Sequence, residues 1–180
     1  DVELLGVRKV PVNMHVLGDA ARESCPMILQ YFFSGNKSKT HTFEEKLYLL
    51  GKTVEKSLYG DRRKSFICSM SSKTIVYKGL MVASQLAHFY SDLSHEDYCA
   101  KVALFHERFS TNTISTWSMA QPFRMLAHNG EINTIKGNRL WMQTRESTFK
   151  STKWNTDLEQ IKPIIKLPGS DSFSIDNTLE

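Results

Sequence analysis

Long apolar runs are missing from this sequence of 180 residues. No stretch approaches the roughly 18 apolar residues that a membrane-spanning helix requires, so no membrane association is expected. The chain opens with Asp1-Val2-Glu3 and shows neither a start methionine nor a secretory signal peptide. We therefore expect a piece of a longer protein, truncated at both ends. A cytoplasmic location is favoured, and an organellar one is left open.

Cysteine is scarce and scattered. The chain has three cysteines, Cys25, Cys68 and Cys99, and no two of them form a Cys-x-x-Cys pair. Zinc or iron–sulfur sites built within the chain are therefore not expected, and a reducing compartment is favoured. None of the three lies in a predicted turn or at a predicted helix start, which disfavours a catalytic cysteine among them.

A strong charge imbalance is also missing. Lysine and arginine number 23 against 19 acidic residues, for a net charge of +4, and the densest basic cluster is only Arg62-Arg63-Lys64. Nucleic-acid binding would require a continuous basic stripe, so we expect no nucleic-acid partner. The hydrophobic fraction of 41% is typical of a globular domain with a real core.

Helix and strand signals alternate irregularly along the chain, which favours an α+β fold over a doubly wound parallel sheet. Thr42 and Glu45 have the spacing of a capping box at the start of an amphipathic helix that Gly60 would end. The patterns predict strands at 3–12 and 27–33 (the second one buried), a hairpin of 65–70 and 74–79, and helices at 16–23, 43–59, 84–90, 134–146 and from Asp171 or Ser172 to 179.

The stretch from His106 to Gly137 is dense in side chains that can hold a small polar molecule. Strand-like runs at 102–105 and 123–127 lead into its two polar segments. Two strands that deliver polar residues at their tips are a common way of building a site. We therefore place the candidate site here.

The chemistry of four residues fits an α-amino acid. Arg108 offers a planar fork for a carboxylate, and Asp171, in a turn, offers a carboxylate for an ammonium. Asn129 and Gly130 supply two adjacent N–H donors, as an oxyanion hole requires. Each residue alone also fits a structural role: a surface ion pair for Arg108, a hairpin turn for Asn129-Gly130, and a helix start for Asp171.

Several strings occur together in an order that resembles the glutamine amidotransferase domain of glutamate synthase large subunits. The resemblance covers essentially the whole chain and implies an N-terminal-nucleophile hydrolase fold. That fold is a four-layer αββα sandwich, here incomplete at both ends, with 1–180 as a partial amidotransferase type 2 domain. The strings are Arg108-Phe109-Ser110-Thr111-Asn112-Thr113, Ala120-Gln121-Pro122-Phe123-Arg124, His128-Asn129-Gly130-Glu131-Ile132-Asn133-Thr134 and Gly169-Ser170-Asp171-Ser172.

The resemblance also implies residue roles. Arg108 would bind the α-carboxylate of L-glutamine, Asp171 its α-amino group, and Thr111 would line the same pocket. Asn129 and Gly130 would form the oxyanion hole. The family's nucleophile is a cysteine at the mature N-terminus. Residue 1 is aspartate, so that cysteine is expected upstream and the 180 residues alone are expected to be inactive.

For the full-length protein, the resemblance implies that ammonia from glutamine is used to make L-glutamate from 2-oxoglutarate. A synthase domain of the same polypeptide, FMN and an iron–sulfur cluster would carry out that step, with a small NADPH-dependent subunit as a further implied partner. No cofactor is expected within the 180 residues. The electron donor is not determined by the sequence.

Two alternatives remain open at this stage. Another class II amidotransferase would share the arginine, Asn-Gly and aspartate pattern, although the long HNGEINT string disfavours it. A non-catalytic module that binds an amino acid would keep the pocket and lack the nucleophile.

Overall fold

A computed structural model describes residues 2–35, 41–58, 65–109, 111 and 113–180. The predicted mixture of helices and strands is confirmed. Among the described residues, no helix is long and apolar enough to cross a membrane. The strands are β1 (Val2–Lys9) and β2 (Leu29–Gly35), and the helices are α1 (Asp19–Glu23), α2 (Phe43–Ser57), α3 (Ala83–Phe89), α4 (Ile135–Glu146), α5 (Leu158–Ile161) and α6 (Asp171–Leu179). Short 3-10 turns span Met14–Val16, Ser91–Ser94 and Asn155–Asp157.

Strands β1 and β2 form an antiparallel pair whose register shifts between Leu4 and Gly6. Both predicted strands are confirmed, but the predicted burial of the second is wrong, because Tyr31 and Phe32 are 51% and 45% exposed. Among the described residues the sheet has two strands. A two-stranded sheet has no second layer that would cover its faces, so apolar strand residues stay in contact with solvent.

The hairpin predicted at 65–79 is wrong, since no strand is assigned to these residues. Side chains hold the segment instead of a backbone ladder. The Glu44 carboxylate accepts hydrogen bonds from the Ser71 hydroxyl at 2.8 Å and the Ser72 amide at 2.6 Å. The Val76 amide donates to the Ser69 hydroxyl at 3.3 Å. These local side-chain bonds satisfy groups that a hairpin would have paired.

The strands predicted at 102–105 and 123–127 are also wrong. Val102 and Phe105 are 85% and 77% exposed, and residues 102–109 have no regular structure. The second run contains a tight turn in which the Phe123 amide donates to the Leu126 carbonyl at 2.9 Å. A run of apolar residues becomes a strand only beside a partner strand. Among the described residues, β1 and β2 pair only with each other.

The apolar core packs the segment that follows β1 against the C-terminal end of α3. Its buried members are Val10, Leu17, Phe89, Tyr90 and Trp117. An isolated bridge between Val12 and Tyr90 adds backbone pairing at the same place. The helix predicted at 84–90 is thereby confirmed as α3.

Helix α2 begins with the predicted capping box. The Glu45 amide donates to the Thr42 hydroxyl at 3.3 Å, and the Thr42 amide donates to the Glu45 carboxylate at 3.0 Å. The helix ends at Ser57. Gly60, predicted as its end, lies outside the described residues.

Helices α4 and α6 confirm two of the remaining helix predictions, and α1 confirms the helix predicted at 16–23 from Asp19 onward. The N-cap of α6 is Ser170, whose hydroxyl accepts from the Phe173 amide at 3.2 Å, so the predicted caps Asp171 and Ser172 are wrong. Because the N-cap lies one residue earlier than predicted, Asp171 lies in the first turn of the helix. The face of α6 that points inward is polar, with Ser172, Ser174, Asp176 and Asn177 buried.

Replacing Thr42 by alanine tests the capping box. The substitution removes the acceptor for the Glu45 amide, so we expect the free energy of unfolding to fall by about 1 kcal/mol in urea titrations. Thr53→Ala, in the exposed middle of α2, is the matched control and should not destabilise the protein. Equal destabilisation by both substitutions would contradict the role of the cap.

Candidate active site

A cluster of buried and partly buried charges joins α2 to α6 beneath the candidate site. Arg124 lies at its centre, with its guanidinium 3.0 Å from Glu55 and 2.8 Å from Glu180. Lys52 binds Glu180 at 2.6 Å, and Lys166 forms a close ion pair with Glu55. We call the six members the charge cluster. They are Lys52, Glu55, Arg124, Lys166, Asp176 and Glu180.

Burial and mutual attraction shift the pKa values in the charge cluster. Burial would raise the pKa of Glu55, but Arg124 and Lys166 outweigh it and hold that pKa below its usual value. Burial lowers the pKa of Lys166 to about 8, and the nearby Lys52 ammonium acts in the same direction. Burial raises the pKa of Asp176. Three cations and three carboxylates balance, as buried charges require.

The charge cluster also binds the backbone of the candidate site. Asp176 accepts a hydrogen bond from the Met125 amide at 2.7 Å. Asn177, the next residue in α6, accepts from the Lys166 amide at 3.1 Å. Helix α6 therefore fixes both the loop that leads to His128 and the segment that leads back to its own first turn.

Two hydrogen bonds between Gln121 and His128 close the loop of residues 121–130. The His128 amide donates to the Gln121 side-chain oxygen at 2.7 Å, and the Gln121 side-chain NH₂ donates to the His128 carbonyl at 2.6 Å. The buried Ser172 hydroxyl lies 3.1 Å from the same carbonyl. The Gln121 side chain thus pairs both the backbone amide and the backbone carbonyl of His128, as a neighbouring strand would.

Asn129 and Gly130, the predicted oxyanion donors, follow directly. Asn129 is exposed, and its side chain makes no hydrogen bond within the described part of the chain. Gly130 is buried with φ of 87°, a left-handed conformation that favours glycine. Its amide donates to His128 Nδ1 at 2.9 Å, so the donor already has an acceptor.

Asp171, the predicted ammonium ligand, lies beside this loop. Its Oδ2 accepts from the Ile132 amide at 3.1 Å, and its Oδ1 is 3.8 Å from the Arg139 guanidinium. The Asp171 side chain is 14% exposed. The structure therefore brings together the HNGEINT string and the GSDS string, which are about 40 residues apart in sequence.

Within the described residues, Arg108 and Thr111 form no hydrogen bond with the other predicted site residues. Both residues are exposed. The Arg108 guanidinium makes no hydrogen bond or ion pair with any residue that the structure describes. Toward the described residues, the guanidinium therefore keeps its N–H donors available for an added carboxylate.

The three cysteines are free thiols. Burial raises the pKa values of Cys25 and Cys68, which keeps both thiols protonated and poorly nucleophilic. Cys99 is exposed. Within the described residues, no group of three or more histidine, cysteine or acidic side chains could hold a metal ion.

Three residues that position the site were missed from the sequence: Gln121, Arg139 and Ser172. The sequence showed Gln121 and Ser172 inside the quoted strings but gave no indication of their partners. For the helix at 134–146, only the apolar residues were interpreted. The polar face of that helix, which carries Arg139, was the signal that could have revealed it.

The sequence profile of class II glutamine amidotransferases matches residues 1–180, so the chain belongs to this family. It is 45% identical over 179 residues to "Glutamate synthase [NADPH] large chain" of Bacillus subtilis (strain 168) and 42% identical over 179 residues to that of Azospirillum brasilense. In each case the match covers 98% of this chain and 12% of the relative. "Ferredoxin-dependent glutamate synthase 1, chloroplastic/mitochondrial" of Arabidopsis thaliana is 42% identical over 182 residues, which is 99% of this chain and 11% of that protein.

The resemblance to the amidotransferase domain of glutamate synthases is thereby confirmed. The chain spans about 12% of the length of the relatives that it matches.

Replacing Arg124 by methionine tests the charge cluster. The change removes the guanidinium from Glu55 and Glu180 and leaves buried carboxylates short of a partner, so the free energy of unfolding should fall by about 3–5 kcal/mol. Arg145→Met is the matched control, because Arg145 is exposed on α4 and should change stability by less than about 0.5 kcal/mol. Chemical denaturation measures both, and similar small losses would contradict the proposed importance of the cluster.

Proposed function

We propose that this chain is part of the glutamine-hydrolysing domain of a glutamate synthase. In this proposal, the domain releases ammonia from L-glutamine for the reductive synthesis of L-glutamate from 2-oxoglutarate. The contact between Ile132 and Asp171 carries the proposal, because it places an acidic side chain against the loop of the oxyanion donors. The names of the relatives support glutamate synthase over another class II amidotransferase.

The substrate would be held at its two charged ends. The Arg108 guanidinium would bind the α-carboxylate through two parallel hydrogen bonds, with Thr111 lining the pocket. Asp171 would bind the α-ammonium. Its two carboxylate oxygens have about four acceptor positions, and the Ile132 amide takes up one of them.

Asn129 and Gly130 would stabilise the oxyanion that forms when a thiolate attacks the side-chain amide. The loss of one such donor typically slows a reaction by about 10²–10³. The Gly130 amide bonds to His128 Nδ1 in this structure, so it would have to exchange the ring nitrogen for the oxyanion. The exchange keeps the amide paired in both states, which avoids a buried unsatisfied donor.

The nucleophile would be a cysteine outside these 180 residues, with its own α-amino group as the base. Its sulfur would attack the amide carbon, ammonia would leave, and water would hydrolyse the resulting thioester to glutamate. The raised pKa values of Cys25 and Cys68 support an external thiol over either of these two.

We propose that residues 1–180 form a partial amidotransferase type 2 domain within an N-terminal-nucleophile, four-layer αββα sandwich. The accessible surface of 12175 Å² supports this. A folded monomer of 20.6 kDa would expose only about 8900 Å². The exposed faces of β1 and β2 are where further sheet and helix layers would pack.

The rest of the proposed polypeptide would supply the other components. The synthase domain would lie in the same chain, and FMN and an iron–sulfur cluster would bind there. A small NADPH-dependent subunit would be a further partner. We place the protein in the cytoplasm or an organelle, because the relatives include a protein named as chloroplastic/mitochondrial.

A non-catalytic module that binds an amino acid is the alternative. Such a protein would bind glutamine through the same residues, and the gene would encode no cysteine that becomes the mature N-terminus.

Arg108→Ala in the full-length polypeptide tests the proposed function. Loss of the guanidinium removes the partner of the α-carboxylate, so glutamine-dependent glutamate synthesis should fall by at least about 10²-fold, while synthesis from free ammonia persists. Lys101→Ala, a nearby exposed cation, is the matched control and should leave both rates unchanged. Equal loss of both activities in Arg108→Ala would argue against a role in glutamine binding.

Purified residues 1–180 should release no ammonia from glutamine, because the proposed nucleophile lies outside them. A coupled ammonia assay measures this. The longer polypeptide with its N-terminal cysteine is the positive control. Turnover by residues 1–180 would refute the external nucleophile.

A further inference from the structure

Arg139 reaches from α4 to the turn that begins α6. Its Nε donates to the Ser174 hydroxyl at 2.9 Å, and its Nη2 donates to the carbonyls of Gly169 at 2.8 Å and Ser170 at 3.2 Å. The same Nη2 lies 3.8 Å from Asp171 Oδ1. One guanidinium therefore contacts the residues on both sides of Asp171.

The turn of Gly169 and Ser170, whose carbonyls Arg139 binds, has little conformational freedom. A Cβ atom at Gly169 would come within 2.4 Å of the Phe173 ring, so the backbone packs directly against that side chain. Ser170 is 1% exposed and caps the helix. Two carbonyls bound to a planar fork fix the orientation of the peptide groups that precede Asp171.

Two groups then orient the Asp171 carboxylate. The Ile132 amide binds Oδ2, whereas Arg139 attracts Oδ1 from a distance beyond that of a hydrogen bond. Arg139 therefore lies beside the carboxylate without occupying its acceptor positions. A carboxylate with free acceptor positions is what the binding of an ammonium group requires.

We propose that Arg139 is a positioning residue that holds Asp171 in the orientation needed to bind the α-ammonium of glutamine. This inference rests on the proposed function, because it takes Asp171 as the ammonium ligand. Arg139 acts through Asp171 and its turn, and it touches no reacting atom.

A double-mutant cycle on the full-length polypeptide tests this role, with glutaminase KM and kcat as readouts. Arg139→Gln should raise the KM for glutamine about tenfold and change kcat less than about threefold, because it disturbs binding at the α-ammonium. In the Asp171→Asn background, Arg139→Gln should raise KM less than twofold further, since coupled residues are non-additive.

Arg145→Gln is the matched control. It removes the same charge from the same helix, but Arg145 is exposed and stacks on Phe149, so KM should not change. The unfolding midpoint of each variant reports stability. If Arg139→Gln lowers that midpoint so far that the polypeptide does not fold, Arg139→Lys replaces it in the cycle, because it keeps the charge and loses the fork.

Each outcome has one meaning. If Asp171→Asn raises KM but Arg139 variants raise it equally in both backgrounds, or not at all, the positioning role is refuted and the glutamine site stands. If Asp171→Asn leaves KM unchanged, the assignment of Asp171 fails, and the role of Arg139 fails with it. Non-additive KM effects at unchanged stability support the inference.

Discussion

The pairing of buried charges between α2 and α6 is the constraint on which the rest of the site depends. Arg124 lies between Glu55 and Glu180, and neither helix can shift without separating a buried charge from its partner. Such a separation costs several kcal/mol in a poorly solvated region. The contacts need not make the protein more stable than an apolar interface would. They fix the position of α6 along its own axis, and that position determines where the first turn of the helix lies.

A short series of hydrogen bonds links α6, in this position, to the residues of the candidate site. Asp176 holds the Met125 amide, and Gln121 closes the loop onto His128. One turn earlier in α6, Ser172 lies against the His128 carbonyl and Asp171 binds the Ile132 amide. A single helix therefore positions the loop of the proposed oxyanion donors, Asn129 and Gly130, and also carries the acidic side chain beside it.

The parts that could be predicted from the sequence are those with local causes. The capping box at Thr42 fixed the start of α2, and apolar spacing was sufficient to predict α4. The run at 102–105 failed because a strand needs a partner that lies elsewhere in the chain or outside it, and no local signal reveals one. Asp171 could be predicted as a candidate ammonium ligand because it is a carboxylate in a turn, and the resemblance implied the same role. The link from Arg139 to Asp171 depends on how two helices meet, which spacing along one helix does not determine.

A crystal structure of the full-length polypeptide with bound L-glutamine would show whether Arg108 and Asp171 hold the two ends of one substrate. We expect the α-carboxylate on the Arg108 guanidinium and the α-ammonium within about 3.2 Å of Asp171, a normal hydrogen-bond distance. We also expect the side-chain carbonyl of glutamine to face Asn129 and Gly130. Glutamine bound with its ammonium away from Asp171, or at a different surface, would contradict both assignments.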